Sequence, residues 1–412
     1  MHLNISGSRI ARQTFLLFGS QLILVGIGFG IKTIQTRWLG PEAYGLYAFF
    51  ASFTGFAALF FRLGFYSSVQ VILAANNNRE REANLLGIGF LIALSTGILF
   101  SLFILLSSMF IDQWFDVSGL GRIMSLVAPI AFIVPFRMMI SAMAVGSNRV
   151  NLIAVFDLFA KGLFIAILLL LALQSYLSLT LVILFNLITQ IIAGLFTFYL
   201  FQPTFRNQKA LFHLLLKKTK KFGFNFYVGT TANQATFKID ELLITYFYTA
   251  TLNGFYSLAI VLCSPMVMAS QALSNSLFKR FSTSDRIQDK VLIYNFLWLM
   301  GSLLALILVA DELVAFLFGE DFFQVADYIP LLAVAFLLQG LYQPFNFLTA
   351  KSQGKAIRNI ALIEAFLNIS GNLILIPIYG VPGAIYTSIA AKGIHLLGKI
   401  YYYRKYLSST HG

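Results

Sequence analysis

The chain has 412 residues, 58% of them hydrophobic and only 11% charged, with a formal net charge of +13. A water-soluble domain carries about 25% charged residues, so this composition and a mean hydropathy of +0.81 exclude a soluble enzyme or a nucleic-acid-binding protein. The lone cysteine, Cys263, excludes an intramolecular disulfide, and the scattered histidines His2, His213, His395 and His411 offer no metal-ligand spacing.

Apolar segments of about 20 residues, the length that crosses a hydrocarbon core, recur from end to end. The first, near 14–36, is too long for a signal-peptide core and lacks a small-residue cleavage site, so it reads as a span. Spans follow near 44–73, 84–109, 120–145, 152–173 and 178–201. The stretch 202–221 interrupts them: Phe205, Leu211, Leu214 and Leu215 alternate with Arg206 and five lysines. It reads as an amphipathic helix on the anionic inner leaflet or, equally well, as a plain topogenic linker. Six more spans lie near 222–249, 253–277, 291–318, 325–350, 359–378 and 383–403. The expectation is an all-α integral membrane protein of twelve transmembrane helices, with an N-terminal lobe 1–201, a basic linker 202–221 and a C-terminal lobe 222–412.

Loop charges support this map. One set of loops holds Arg9 and Arg12, Arg79 and Arg81, Arg149, then Arg206, Lys209, Lys217, Lys218, Lys220 and Lys221. It continues with Lys279, Arg280, Arg286 and Lys290, with Lys351, Lys355 and Arg358, and with Arg404 and Lys405. The opposite set has only Arg37 and Arg122, beside Glu42, Asp112, Asp116, Glu320 and Asp321. Twenty basic residues against two, alternating at every crossing, place both termini in the cytoplasm.

The halves repeat. Tyr44-Gly45-Leu46-Tyr47 matches Asn253-Gly254-Phe255-Tyr256, Gly146 and Asn151 match Gly354 and Asn359, and Gly162 matches Gly371. The offset stays near ~208 residues, and an even number of spans per half makes the repeat parallel, an arrangement found in alternating-access transporters. Gly26-x-x-x-Gly30 has no preceding strand and reads as close helix packing rather than a dinucleotide loop.

Arg37-Trp38-Leu39-Gly40-Pro41-Glu42-Ala43-Tyr44-Gly45-Leu46-Tyr47 resembles the signature of polysaccharide biosynthesis flippases, the Wzx-like branch of the multidrug/oligosaccharidyl-lipid/polysaccharide exporter superfamily. Lys238-Ile239-Asp240, the run from Leu313 to Phe322, and Ile376 to Ala384 resemble further family segments in the same order. Gly223-Phe224-Asn225 stands where the family often has proline, and Arg62 where many relatives carry an acidic or neutral residue. The resemblance implies a bacterial inner-membrane flippase for lipid-linked oligosaccharide, as in O-antigen assembly. It further implies a monomer serving a polysaccharide polymerase, with no cofactor beyond a coupling proton or sodium ion.

Charge inside a membrane is costly and is normally kept for a cavity or a partner. The intramembrane cations are Lys32, Arg62, Arg137, Lys161, Lys238, Lys392 and Lys399, against the acids Asp157, Asp240, Glu241 and Glu364. A pyrophosphate-linked glycan supplies the missing anion, so Arg62, Arg137 and Lys32 are the expected substrate contacts, with snorkelling to headgroups as the competing explanation for the arginines. Asp157 and Lys161, one helical turn apart, suit an ion pair, while Lys238 and Asp240 face different sides. Asp240, Glu241, Glu364 and Asp157 are the candidates for ion coupling.

Two other functions compete. A membrane-embedded polymerase or ligase needs a sizeable outward loop for its catalytic groups, and neither such a loop nor an enzyme motif is present. A drug exporter of the same superfamily would share the fold, but a cationic drug favours an acidic cavity rather than an excess of basic groups.

Overall fold

The computed structural model describes the backbone of residues 4–411 and the side chains of 23–409, apart from those at 222, 225, 226, 229, 232, 233, 236, 237 and 279. The side chains of His2, Arg9, Arg12, Asn225, Lys279 and His411 lie outside the described residues.

Helix α1 (Asn4–Phe60) takes in the first expected span and most of the second. It breaks at Gly40, whose φ of 75° and ψ of 173° suit glycine alone, and Pro41 opens the next turn, where a missing N–H costs nothing. A second break at Leu63 and Gly64 (φ 48° and 76°) precedes α2 (Phe65–Ala74). Helix α3 (Arg79–Ser107) is capped by Asn78, whose side chain accepts the Arg81 N–H at 3.0 Å. A one-turn α4 (Ile111–Phe115) leads to α5 (Leu120–Val127) and α6 (Ile133–Gly146), which meet at a 46° bend. Then come α7 (Asn151–Leu173) and α8 (Leu179–Phe201).

The basic stretch contains α9 (Gln208–Lys218), which passes through a π-helical turn into α10 (Phe224–Phe247). Next are α11 (Ala250–Thr283), α12 (Asp289–Leu308), α13 (Ala310–Phe318) and α14 (Gln324–Leu341). The chain closes with α15 (Phe347–Ala350), α16 (Gly354–Tyr379) and α17 (Val381–His411).

Every expected span falls on helix. Among the described residues, however, eight helices are long and apolar enough to cross a membrane, or nine with the bent pair taken as one. The lower number arises because α1 merges two expected spans and because polar residues dilute the apolar runs of α10 and α17.

Exposure shows which solvent these helices are built for. Along α16 the buried stripe is Ala356, Ile360, Glu364, Asn368, Asn372 and Ile376, at a spacing of one turn. Leu362, Ile363, Phe366, Leu373 and Ile374 on its other side are 50–72% exposed. In water each would forfeit about 1.5–3 kcal/mol of burial. In lipid that cost vanishes, and the polar groups are the ones that must turn inward. The protein is a multi-pass membrane protein.

The chain divides into two compact units, Met1–Ala235 and Thr236–Gly412. The division falls inside α10, whose first half is fastened to the first unit. Tyr227 donates its hydroxyl to the Phe60 carbonyl at 2.9 Å, and Arg62 donates to the Gln234 side chain at 2.9 Å. The backbones of Gly64 and Gly223 touch so closely that a Cβ on Gly64 would lie 2.7 Å from the Gly223 carbonyl. Gly223, at the start of the seventh expected span, thus makes a glycine–glycine contact. Gly30 packs against Ile165, but nothing lies within 4 Å of a Cβ on Gly26, so the expected small-residue packing is realised at one end only.

A Cβ on Gly223 would collide with the Ser68 hydroxyl and the Gly64 carbonyl. Gly223→Ala is predicted to cost about 1–3 kcal/mol, seen as a lower unfolding midpoint of the detergent-purified protein. Gly162→Ala, where a Cβ meets nothing within 4 Å, serves as the silent control.

Candidate functional site: a polar cavity in each unit

The first unit holds a cavity of about 260 Å³ lined by Arg137 of α6, by Phe156, Asp157, Lys161 and Phe164 of α7, and by Asn186, Thr189 and Gln190 of α8. Arg137 places Nη2 at 2.7 Å and Nε at 3.1 Å from the same Asp157 oxygen. The ion pair expected within α7 is therefore made between helices instead. The guanidinium fork brings two N–H groups to one oxygen, a bonding pattern that a single ammonium one turn away does not match. Asp157 is taken, and Lys161 has no carboxylate within 4.0 Å among the described residues.

The Lys32 ammonium lies over the rings of Tyr44 and Tyr47, 5.1 and 4.9 Å from their centroids. Tyr47 accepts a hydrogen bond from the Asn186 amide at 3.4 Å, and Asn186 accepts one from Gln190 at 2.9 Å. Lys32 thus reaches the cavity wall through Tyr47. Arg62 does not line this cavity; it sits at the break between α1 and α2, bonded to Gln234. Of the three expected substrate contacts, one lines the cavity, one adjoins it and one stands elsewhere.

The second unit holds a cavity of about 240 Å³, and it gathers three of the four coupling candidates. Asp240 accepts the Tyr256 hydroxyl at 2.7 Å and the Glu241 N–H at 3.0 Å. Glu241 pairs with Lys238 at 2.9 Å, one turn back on α10. Glu364 bonds the His395 ring at 2.6 Å, and that ring lies against Tyr342, tilted by 30°, with centroids 4.1 Å apart. Lys392 donates to Gln339 at 2.7 Å. Asp157, the fourth coupling candidate, belongs to the other cavity.

His395, read from the sequence as one of four scattered histidines, is the residue that sequence reasoning missed. The available signal was its register: Lys392, His395 and Lys399 fall on one face of α17. The repeat also acquires chemical content. At the offset of ~208 residues that relates the halves, Lys32 and Tyr47 correspond to Asp240 and Tyr256. The tyrosine is kept while its charged partner changes sign.

The sequence matches the model of a family described as "Polysaccharide biosynthesis protein" over residues 10–282. The chain belongs to that family. No curated protein sequence matches it at significance. Among solved structures it is similar to an inward-closed lipid II flippase MurJ, at 15% identity and a TM-score of 0.71, covering 95% of this chain and 87% of that one. It is also similar to an inward-facing multidrug resistance MATE family transporter of the MOP superfamily (15% identity, TM-score 0.68, 94% of each chain). A third is a MOP superfamily transporter from Pyrococcus furiosus noted for the reverse polarity of its binding pocket (15% identity, TM-score 0.61, 95% of each chain). The fold of this family member is therefore that of the MOP superfamily. The proteins sharing it here are transporters and a flippase, not enzymes.

The His395–Glu364 bond is part-buried and joins α17 to α16. A double-mutant cycle of His395→Phe and Glu364→Gln, followed by unfolding in detergent, is predicted to give a coupling energy of about 1.5–3 kcal/mol. A coupling near zero would show that the pair does not form.

Proposed function

We propose that this protein is a flippase that carries polyprenyl-pyrophosphate-linked oligosaccharide across the bacterial cytoplasmic membrane for surface polysaccharide assembly. The observation that carries this reading is the first-unit cavity. Its Lys161 ammonium has no carboxylate within 4.0 Å among the described residues, Asp157 of the same wall is paired with Arg137, and amide side chains and two phenylalanine rings line the rest. Cations with amide donors and aromatic faces suit an anionic, sugar-bearing headgroup. At about 260 Å³ the cavity falls below the about 300–1,000 Å³ of a drug-sized site, so it suits one phosphate or sugar unit at a time. Family membership supplies the glycan context. The substrate would be admitted from the cytoplasm, where both termini lie by the distribution of loop charge, and released outside by alternating access.

The second-unit cavity supports ion coupling. Asp240, Glu241 and Glu364 already have donors within the chain, so an incoming proton needs only to change one of these bonds. The Glu364–His395 pair is the candidate seat. It faces Tyr342, and its histidine shares a helix face with Lys392 and Lys399.

A cation antiporter is the second reading, and the three carboxylates of that cavity are what favour it. Proteoliposomes separate the two. Labelled polyprenyl-pyrophosphate oligosaccharide supplied on one face should appear on the other. Arg137→Ala and Lys161→Ala are each predicted to slow it about tenfold or more, the equivalent of one lost charge-assisted contact. Arg62→Ala should have the smaller effect if its bond to Gln234 is structural. Glycan transport indifferent to all three changes would remove the cationic site. Efflux of organic cations without glycan transport, abolished by Asp240→Asn, would establish the antiporter.

A further inference from the structure

We infer that the segment 204–221 is a docking surface for acidic phospholipid headgroups, held rigidly at the membrane interface by the first unit. This does not depend on the substrate. Helix α9 is not a loose connection. Leu215 is fully buried and Leu211 packs with it into the core cluster that includes Leu85, Leu86 and Phe201. The approach to α9 is pinned by Asn84, whose side-chain oxygen accepts the Thr204 hydroxyl at 2.8 Å and the Arg206 N–H at 2.9 Å. The Thr204 N–H donates to the Ala83 carbonyl at 2.9 Å. The Thr204 carbonyl lies so close to Gly87 that a side chain there would strike it.

That contact sets the depth. Helix α3 has 29 residues, more than a membrane crossing uses. Counting about 20 residues back from its far end at Ser107 brings the hydrocarbon boundary to the neighbourhood of Gly87. The segment therefore crosses α3 at headgroup level, with the first two turns of α3 projecting beyond it.

The amphipathic face expected from the sequence is divided by this packing. Leu211 and Leu215 turn to the protein, while Phe205, Phe212 and Leu214 are 50%, 39% and 37% exposed. Beside them Lys209, Lys217, Lys220 and Lys221 are exposed as well. No acidic residue occurs between Gln202 and Gly223. Exposed apolar groups bordered by lysines, at the level of the headgroups and without a countercharge in the segment, match one surface. It offers acyl chains below and fixed negative charge above.

The test uses the full chain in nanodiscs. Because Cys263 is fully buried, Leu214→Cys supplies a single accessible thiol for a spin label. Its collisions with oxygen, which concentrates in the bilayer, are compared with collisions with a water-soluble nickel chelate. In acidic phospholipid the oxygen-to-nickel ratio should exceed that in phosphatidylcholine at least about fivefold, the contribution of a single lysine near an anionic surface. It should fall again at high salt, where screening shortens the reach of the surface charge. Replacing Lys209, Lys217, Lys220 and Lys221 with glutamine should abolish the lipid dependence without altering the buried face. A ratio equal in the two lipids, or unchanged by the four substitutions, would overturn the inference. So would protection from both probes, which would mean that protein covers the patch. Glycan transport is not the readout, so failure here leaves the proposed function standing, and the reverse also holds.

Discussion

In this protein a polar group has to find its partner inside the protein, because the surroundings of the helices offer none. The consequence is clearest in α16, which buries Glu364, Asn368 and Asn372 on one stripe and exposes Leu362, Phe366 and Ile374 on the other. Hydrophobic burial, the usual organiser of a core, contributes little between helices surrounded by lipid. The arrangement is set instead by close backbone approach, as between Gly64 and Gly223, and by hydrogen bonds that link one helix to another. Tyr66 with Thr96, Arg137 with Asp157, and Trp298 with the Met266 carbonyl are bonds of this second kind.

The same constraint concentrates the chemistry. A charge that cannot face lipid collects with others, and each unit gathers several of its charges around one small cavity. In the first unit a conjugate of aromatic rings and amides surrounds Arg137 and Lys161. In the second, three carboxylates each hold a donor from the chain itself. Tyr47 and Tyr256 occupy corresponding places in the repeat, the first beneath a lysine and the second bonded to an aspartate. A duplicated half can thus take on opposite electrostatic roles through one change of charge beside a retained tyrosine. An anionic substrate and a coupling cation need cavities of opposite sign, and this is the physical economy that the proposed mechanism draws on.

Helix breaks are equally purposeful in position. Gly40 and Pro41 interrupt α1 within the most family-like segment, and Leu63 and Gly64 interrupt the second expected span beside Arg62. Irregular backbone at membrane depth survives only where protein or water satisfies its freed groups. At the second break the close neighbours are Gly223 of the π-helical turn and, just after it in α10, Tyr227 and Gln234. This is also why α10 is shared between the two compact units rather than beginning the second one outright.

The sequence by itself determined the membrane class, the helical segments, the parallel repeat and the family. Each of these is written in quantities that composition, period and spacing carry: apolar length, loop charge and a recurrent motif. It also identified the intramembrane charges, since a charged residue in an apolar run is visible without coordinates. Only the tertiary structure decided their partners. Asp157 turned from Lys161 on its own helix to Arg137 on a neighbour, Glu364 found His395, and Arg62 was placed at a helix break rather than beside Arg137. Likewise only packing divided the apolar face of α9 into an inward pair and an outward set. An ion pair or a packed face depends on which helices lie side by side and at what rotation. That information belongs to distances across the fold, and no local period contains it.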